Sequence, residues 1–255
     1  MKSFITALQF LTRIHICTQR DLTAEDFGRS TKFFPLVGVI LGTIYMLAAW
    51  GLIAVFGWAN LVTTLLIILP VMLTGGLMLD GFMDTVDGVF SGRDRERVLE
   101  IMKDSRVGSF GVIALACLLL INWTALRDVK LMLIMTALFV MPIIGRMAMV
   151  MAIACFPYAR KEGMGKIFAD MADKKTLLLA IAVTLVFVVP WGQAAVAALV
   201  MGLSFAWLVG RWLTSQLGGL TGDTYGAIET LTETVVLLVF WVTSWIPGGL
   251  HIFWR

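Results

Sequence analysis

The sequence predicts an all-α polytopic membrane bundle of about six to seven transmembrane helices, preceded by an interfacial or partly inserted N-terminal helix. Three observations carry this. Of 255 residues, 59% are hydrophobic and only 15% charged, whereas a soluble domain carries about 25% charged residues. Apolar runs near the length a membrane requires recur along the chain. Lys and Arg then alternate from one connection to the next.

The elements follow in order. The first 20 residues lack a small-residue cleavage site, and Ser3, Gln9, Thr12 and Arg13 break their apolar positions, which predicts a helix lying at the membrane surface. Spans are expected at 36–56, 58–79, 109–126, 131–156, 176–191, 193–213 and 231–250. The first two are joined by a tight turn near Gly57, and the fifth and sixth near Pro190-Trp191-Gly192. The fifth is short enough to be re-entrant. No linker or low-complexity segment divides the chain, so residues 1–255 read as one catalytic domain, and no internal repeat is visible.

Five Lys/Arg precede residue 36 (Lys2, Arg13, Arg20, Arg29 and Lys32), five lie in 80–108 and five in 157–175. The alternate connections hold none near Gly57, two at Arg127 and Lys130, and none near Gly192. The positive-inside rule places the three basic segments, and the 214–230 loop with them, on the cytoplasmic side of the membrane.

Other chemistries are poorly supplied. Cys17, Cys117 and Cys155 are unpatterned, and His15 and His251 are the only histidines, so disulfide, zinc and haem frameworks are not expected. A net charge of +3, spread along the chain, does not suit nucleic-acid binding.

One stretch stands apart. "LDGFMDTVDGVFSGRDRERVLEIMKDSRVG", residues 79–108, holds five Asp, two Glu and five Lys/Arg after an uncharged run from about residue 36. If the second span continues as a helix, Asp80, Asp84 and Asp87 fall at i, i+4 and i+7 on one stripe. Three carboxylates there repel one another and lose hydration, which suits a hard dication such as Mg²⁺ that leaves positions open for phosphate oxygens. Arg93, Arg97, Glu100 and Asp104 continue at helical spacing, flanked by Lys103 and Arg106. Guanidinium groups beside carboxylates suit a metal-bridged diphosphate, and the reaction class is phosphoryl transfer. Either Asp84 or Asp87 would serve as the base. Gly75, Gly76, Gly81, Gly88 and Gly92 predict close approach of another helix or a ligand. The plainer reading is a solvated acidic loop laced by helical ion pairs.

These residues resemble a known family. "GGLMLDGFMDTVDGVFSGRDRERVLEIMKDSRVGSFG" from Gly75, "LQFLTRIHI" with Arg13, "YARKEGMG" at 158–165 and "GGLTGDTYGAIETLTE" at 218–233 are similar, in order, to cobalamin-5′-phosphate synthases, also called adenosylcobinamide-GDP ribazoletransferases. The resemblance implies a multi-helix inner-membrane enzyme that joins α-ribazole or its 5′-phosphate to adenosylcobinamide-GDP, releases GMP and requires Mg²⁺. It implies metal ligands at Asp80, Asp84, Asp87 and Asp104. Many relatives carry His where this chain has Met78, so no role falls to that position.

Further substrate contacts are expected at Tyr158 and Arg160, and in a polar loop at Thr221, Asp223 and Thr224 ahead of the last span. For each there is a structural alternative: interfacial anchoring for the first pair and a helix cap for the loop. Glu229 and Glu233 are placed at the membrane edge. Arg146, inside a span, needs a partner or a water-filled cavity. Gly75-Gly76 and Gly202 permit packing into a homo-oligomer within the lipid. The alternative functions are a CDP-alcohol phosphotransferase and a cation-coupled transporter. Acids at a span end, mixed with Arg, suit phosphate better than a midplane ion site.

Overall fold

The computed structural model describes residues 2–16 and 23–246. Cys17, Arg20, His251 and the end of the predicted last span lie outside the described residues.

Twelve α-helices and two short 3-10 helices occur among the described residues, and no strand. The α-helices are α1 (Lys2–Leu11), α2 (Ala24–Gly28), α3 (Phe34–Phe56), α4 (Asn60–Thr74), α5 (Leu77–Val89), α6 (Arg95–Ile101), α7 (Ser109–Asp128), α8 (Leu131–Cys155), α9 (Met164–Met171), α10 (Lys174–Val188), α11 (Gln193–Leu217) and α12 (Gly222–Trp245). Six helices are long and apolar enough to cross a membrane: Ala24–Phe56, Ser109–Asp128, Leu131–Cys155, Lys174–Trp191, Gln193–Leu217 and Gly222–Trp245. The bent pair α4–α5 makes a seventh if it is counted as one span. The protein is a polytopic helical membrane bundle.

At the centre stands α8, whose side chains are buried on nearly every face. A helix apolar all round belongs in the middle of a bundle, and α3, α10, α11 and α12 surround this one. Gly38 and Gly42, one turn apart on α3, set its backbone directly on α8. A Cβ at Gly38 would lie 2.6 Å from the Pro142 carbonyl, and one at Gly42 would overlap that of Phe139. This is the small-residue contact through which membrane helices gain close van der Waals packing.

Contacts between connections agree with the charge count. Trp58 Nε1 donates to the Arg127 carbonyl, Arg127 Nε to Asn60 Oδ1, and the Lys130 amide to Ser244 Oγ. These weakly basic connections therefore meet at one end. The basic segments meet at the other. Gly28 of α2 packs on Met171 of α9, and the chain at Arg13 hydrogen-bonds to Leu73. Arg95 donates to the carbonyls of Leu217 and Ala159.

Two expectations are corrected. The second span does not run straight over 58–79. Gly75 and Gly76 both take the left-handed conformation, φ +70° and +76°, and α5 leaves α4 at 91°. Only glycine accepts that pair without strain, so these two glycines make a corner and not a helix contact. The last helix begins at Gly222, nine residues ahead of the predicted 231, and so Gly222 to Thr230 are helical and not loop. Their polarity hides the helix from a hydropathy reading. Thr232 and Thr234 return their hydroxyls to the carbonyls of Ile228 and Thr230, a bond that lets a polar residue face a core. Gly202 is spent inside the chain against Ile144, Thr232 and Val236, so it offers no oligomer face. The N-terminal helix forms as expected, with Ala7, Leu8 and Leu11 buried in the bundle.

Candidate active site

The acidic stripe is built by α5, which carries Asp80, Asp84 and Asp87 within one helix. Gly81 lets α12 come against it. A Cβ there would lie 2.8 Å from the Asp223 carbonyl oxygen and 3.0 Å from its Cα. The first turn of α12 is thus held beside Asp80 and Asp84. We expect Gly81→Ala to push Asp223 away from the other acids. Such overpacking costs about 1–3 kcal/mol, and both the thermal midpoint and the turnover of the purified protein should fall.

Thr221 starts α12. Its hydroxyl accepts from the Thr224 amide at 3.3 Å, and Thr224 Oγ1 accepts from the Thr221 amide at 2.7 Å. This reciprocal cap satisfies two amides that a helix start leaves without partners. Both threonines are fully buried. The expected substrate contacts at Thr221 and Thr224 are therefore corrected: their hydroxyls serve the cap and place Asp223.

A second connection completes the site. The segment after α8 pairs with the one before α12, the Ala159 amide donating to Leu220 (2.8 Å) and the Leu220 amide to Pro157 (2.7 Å). This two-residue bridge brings Tyr158 and Arg160 alongside α12, where Arg160 Nη2 lies 2.9 Å from Asp223 Oδ2. Asp84 is half-buried, and the like charges of Asp80, Asp223 and Asp87 bear on it with Arg160 opposing them. Asp223 alone pairs with the guanidinium, and Asp80 and Asp84 stand on the helix beside it. The excess of negative charge calls for a cation, and the donors are all hard oxygens.

Other predicted residues lie elsewhere. Asp87 is buried and spends each carboxylate oxygen on a backbone amide, of Gly108 and of Gly111, at 2.9 Å each. It anchors the start of α7. The second acidic stripe is not one helix, since Gly92 (φ +66°) and the capping Asp94 separate α5 from α6, which ends at Ile101. Arg93, Arg97 and Lys103 are exposed, with Arg97 paired to Glu100 at 2.7 Å. Asp104 lies at the surface in a forked pair with Arg106, whose guanidinium holds its carboxyl down at about 2. Among the described residues no three His, Cys, Asp or Glu side chains converge closely enough to cage a metal. Mg²⁺ does not need a cage: it keeps several waters and binds through one or two carboxylates plus substrate phosphates. Asp80 and Asp223 fit it on that basis.

Sequence reasoning missed Arg95, whose Nε donates to the Leu217 carbonyl at 2.5 Å. It ties α6 to the end of α11. It also misplaced Glu229 and Glu233, which face Arg146 inside the bundle.

The family model for cobalamin-5-phosphate synthase matches residues 3–241. The chain belongs to this family. Among the similar curated proteins is the adenosylcobinamide-GDP ribazoletransferase of Desulforamulus reducens, 39% identical over 93% of this chain and 92% of its own. Another is that of Clostridium acetobutylicum, 34% identical over 97% of this chain and 98% of its own. Like those cobalamin-5-phosphate synthase relatives, the protein is a transferase, and it acts in cobalamin biosynthesis. No solved structure matches the chain.

Proposed function

We propose that this synthase transfers the phospho-cobinamide group of adenosylcobinamide-GDP to the 3′-hydroxyl of α-ribazole or α-ribazole-5′-phosphate, at the cytoplasmic face of the bacterial inner membrane. The observation that carries the proposal is Asp223, paired with Arg160 and seated on Gly81 of the helix that carries Asp80 and Asp84, at the end of the bundle where the basic segments gather.

The hydroxyl oxygen bonds to the phosphorus nearer cobinamide. The bond from that phosphorus to the oxygen of GMP breaks, and GMP leaves. Asp84, which no hydrogen bond or ion pair engages among the described residues, takes the hydroxyl proton. Arg160 offers planar donors to the diphosphate, and Tyr158, beside it, lines the same approach. Asp80 and Asp223 would hold Mg²⁺, which when bound supplies positive charge for the diphosphate oxygens. Asp87 keeps α5 and α7 in register and so holds Asp84 in place. The open basin beside Arg93 and Arg97, about 830 Å³, is where anionic substrate would first be drawn.

The test is to incubate the detergent-purified protein with adenosylcobinamide-GDP, α-ribazole-5′-phosphate and Mg²⁺, and to follow GMP and the corrinoid product. EDTA should stop the reaction, and Asp104→Asn should leave the rate near that of wild type, because its carboxylate stands apart with Arg106. If the folded protein releases no GMP, the reading fails; CDP-alcohols are the next substrates to try. If Asp104→Asn is as inactive as Asp84→Asn, the surface loop belongs to the site.

A further inference from the structure

Beside the acids lies a cavity of about 240 Å³ between α1, α3, α5, α8, α9 and α12. Asp80, Asp223 and Gly222 line its polar side. A Cβ at Gly222 would meet nothing within 4 Å, so the space beside this residue is open. Its inner wall is apolar apart from the Tyr225 hydroxyl, which is buried without a hydrogen-bond partner. Phe10, Phe34 and Phe168 form an aromatic triangle with ring centroids 5.1, 5.6 and 6.3 Å apart, and Met149 and Ile153 lie on the same wall.

The contents of such a space are constrained by its size and its lining. Small-molecule pockets begin near about 300 Å³, so this one suits a two-ring heterocycle and excludes a corrin macrocycle. A guanine would carry its amide edge into a wall whose one unpartnered polar side chain is Tyr225, and each buried group left unpaired costs about 1–3 kcal/mol. A benzimidazole has almost no such edge, and aromatic side chains favour a flat ring stacked or edge-on against them.

We infer that this cavity binds the apolar two-ring base of the acceptor nucleoside, so that its ribose emerges between Asp80 and Asp223 with a hydroxyl facing Asp84. The inference rests on the transferase reading above and adds to it the acceptor's binding site and the residues that select its base.

Two measurements test it. With wild-type protein, free benzimidazole should compete with α-ribazole-5′-phosphate and not with adenosylcobinamide-GDP. With Ile153→Phe, which fills the cavity from α8, the KM for α-ribazole-5′-phosphate should rise at least about tenfold, with the KM for adenosylcobinamide-GDP unchanged. The inference is overturned if benzimidazole competes with neither substrate or with adenosylcobinamide-GDP, or if guanosine competes in its place. It is also overturned if folded Ile153→Phe keeps the acceptor KM of wild type. Should Ile153→Phe not fold, the competition experiment decides alone. Absence of any GMP release by wild-type protein would instead sink the transferase reading, and binding of α-ribazole-5′-phosphate followed by calorimetry, with and without benzimidazole, still reads the cavity.

Discussion

Asp84→Asn is expected to lower the rate of GMP release by about 10²- to 10⁴-fold, the range for a lost general base, while the thermal midpoint stays level or rises. The two halves of this prediction have one cause. Asp84 is partly buried, and three carboxylates bear on it against one guanidinium. A neutral side chain of the same shape removes that repulsion and keeps the packing of α5. Functional sites hold charge at the expense of stability, so activity and stability should move in opposite directions here. Asp87→Asn should behave differently. Its oxygens accept the amides of Gly108 and Gly111, and an amide group accepts through only one of its two ends. Stability and activity should then fall together. Activity assays and thermal unfolding of the two purified variants, side by side, separate the roles. Loss of stability in Asp84→Asn as large as in Asp87→Asn would remove Asp84 from the chemistry and make it a packing residue.

The sequence made the strongly apolar helices legible. The helix at Ser109–Asp128 starts where the reading put it, and the central helix Leu131–Cys155 ends one residue short of it. Both have continuous apolar runs, and length alone decides such cases. The stripe of Asp80, Asp84 and Asp87 was legible too, because helical spacing fixes a face. Two of the glycines also behave as read: Gly81 admits α12, and Gly88 admits Val98 and Met102 of the α6 region. What stayed hidden depends on partners distant in sequence. Asp223 meets Arg160 because Ala159 donates to Leu220 and Leu220 to Pro157, and Asp104 stands apart because a new helix starts at Asp94 and ends at Ile101. Spacing reports a face; it does not report whether the helix persists. The corner at Gly75-Gly76 had a local signal, since paired glycines accept left-handed angles, but the apolar residues on both sides outweighed it in a hydropathy window.

The largest loss of stability is expected from Arg146→Met. Arg146 and Glu229 are each 2% exposed and Glu233 16%, and Arg146 Nη1 lies 2.5 Å from Glu229 Oε1 and bonds Glu233 as well. Gly145 makes room for this, since a Cβ there would lie 2.8 Å from Glu233 Cγ. Inside a bilayer an uncompensated charge is expensive, and ionisable residues there pair with one another. Removing the cation leaves two carboxylates facing each other without water, and breaking a buried pair costs about 3–5 kcal/mol. Adding Glu229→Gln and Glu233→Gln should recover much of it, because the penalty lies in the orphaned charge and not in the missing contact. The cluster also joins α8 to the helix whose first turn holds Asp223. The single variant should therefore lose transfer activity at temperatures where it is still folded, through a displaced α12. Thermal unfolding in detergent for the single and triple variants, with GMP release measured below the midpoint, tests both parts. A single variant that melts with wild type would mean that Glu229 and Glu233 shed their charge without Arg146, and that α12 is held by its apolar packing alone.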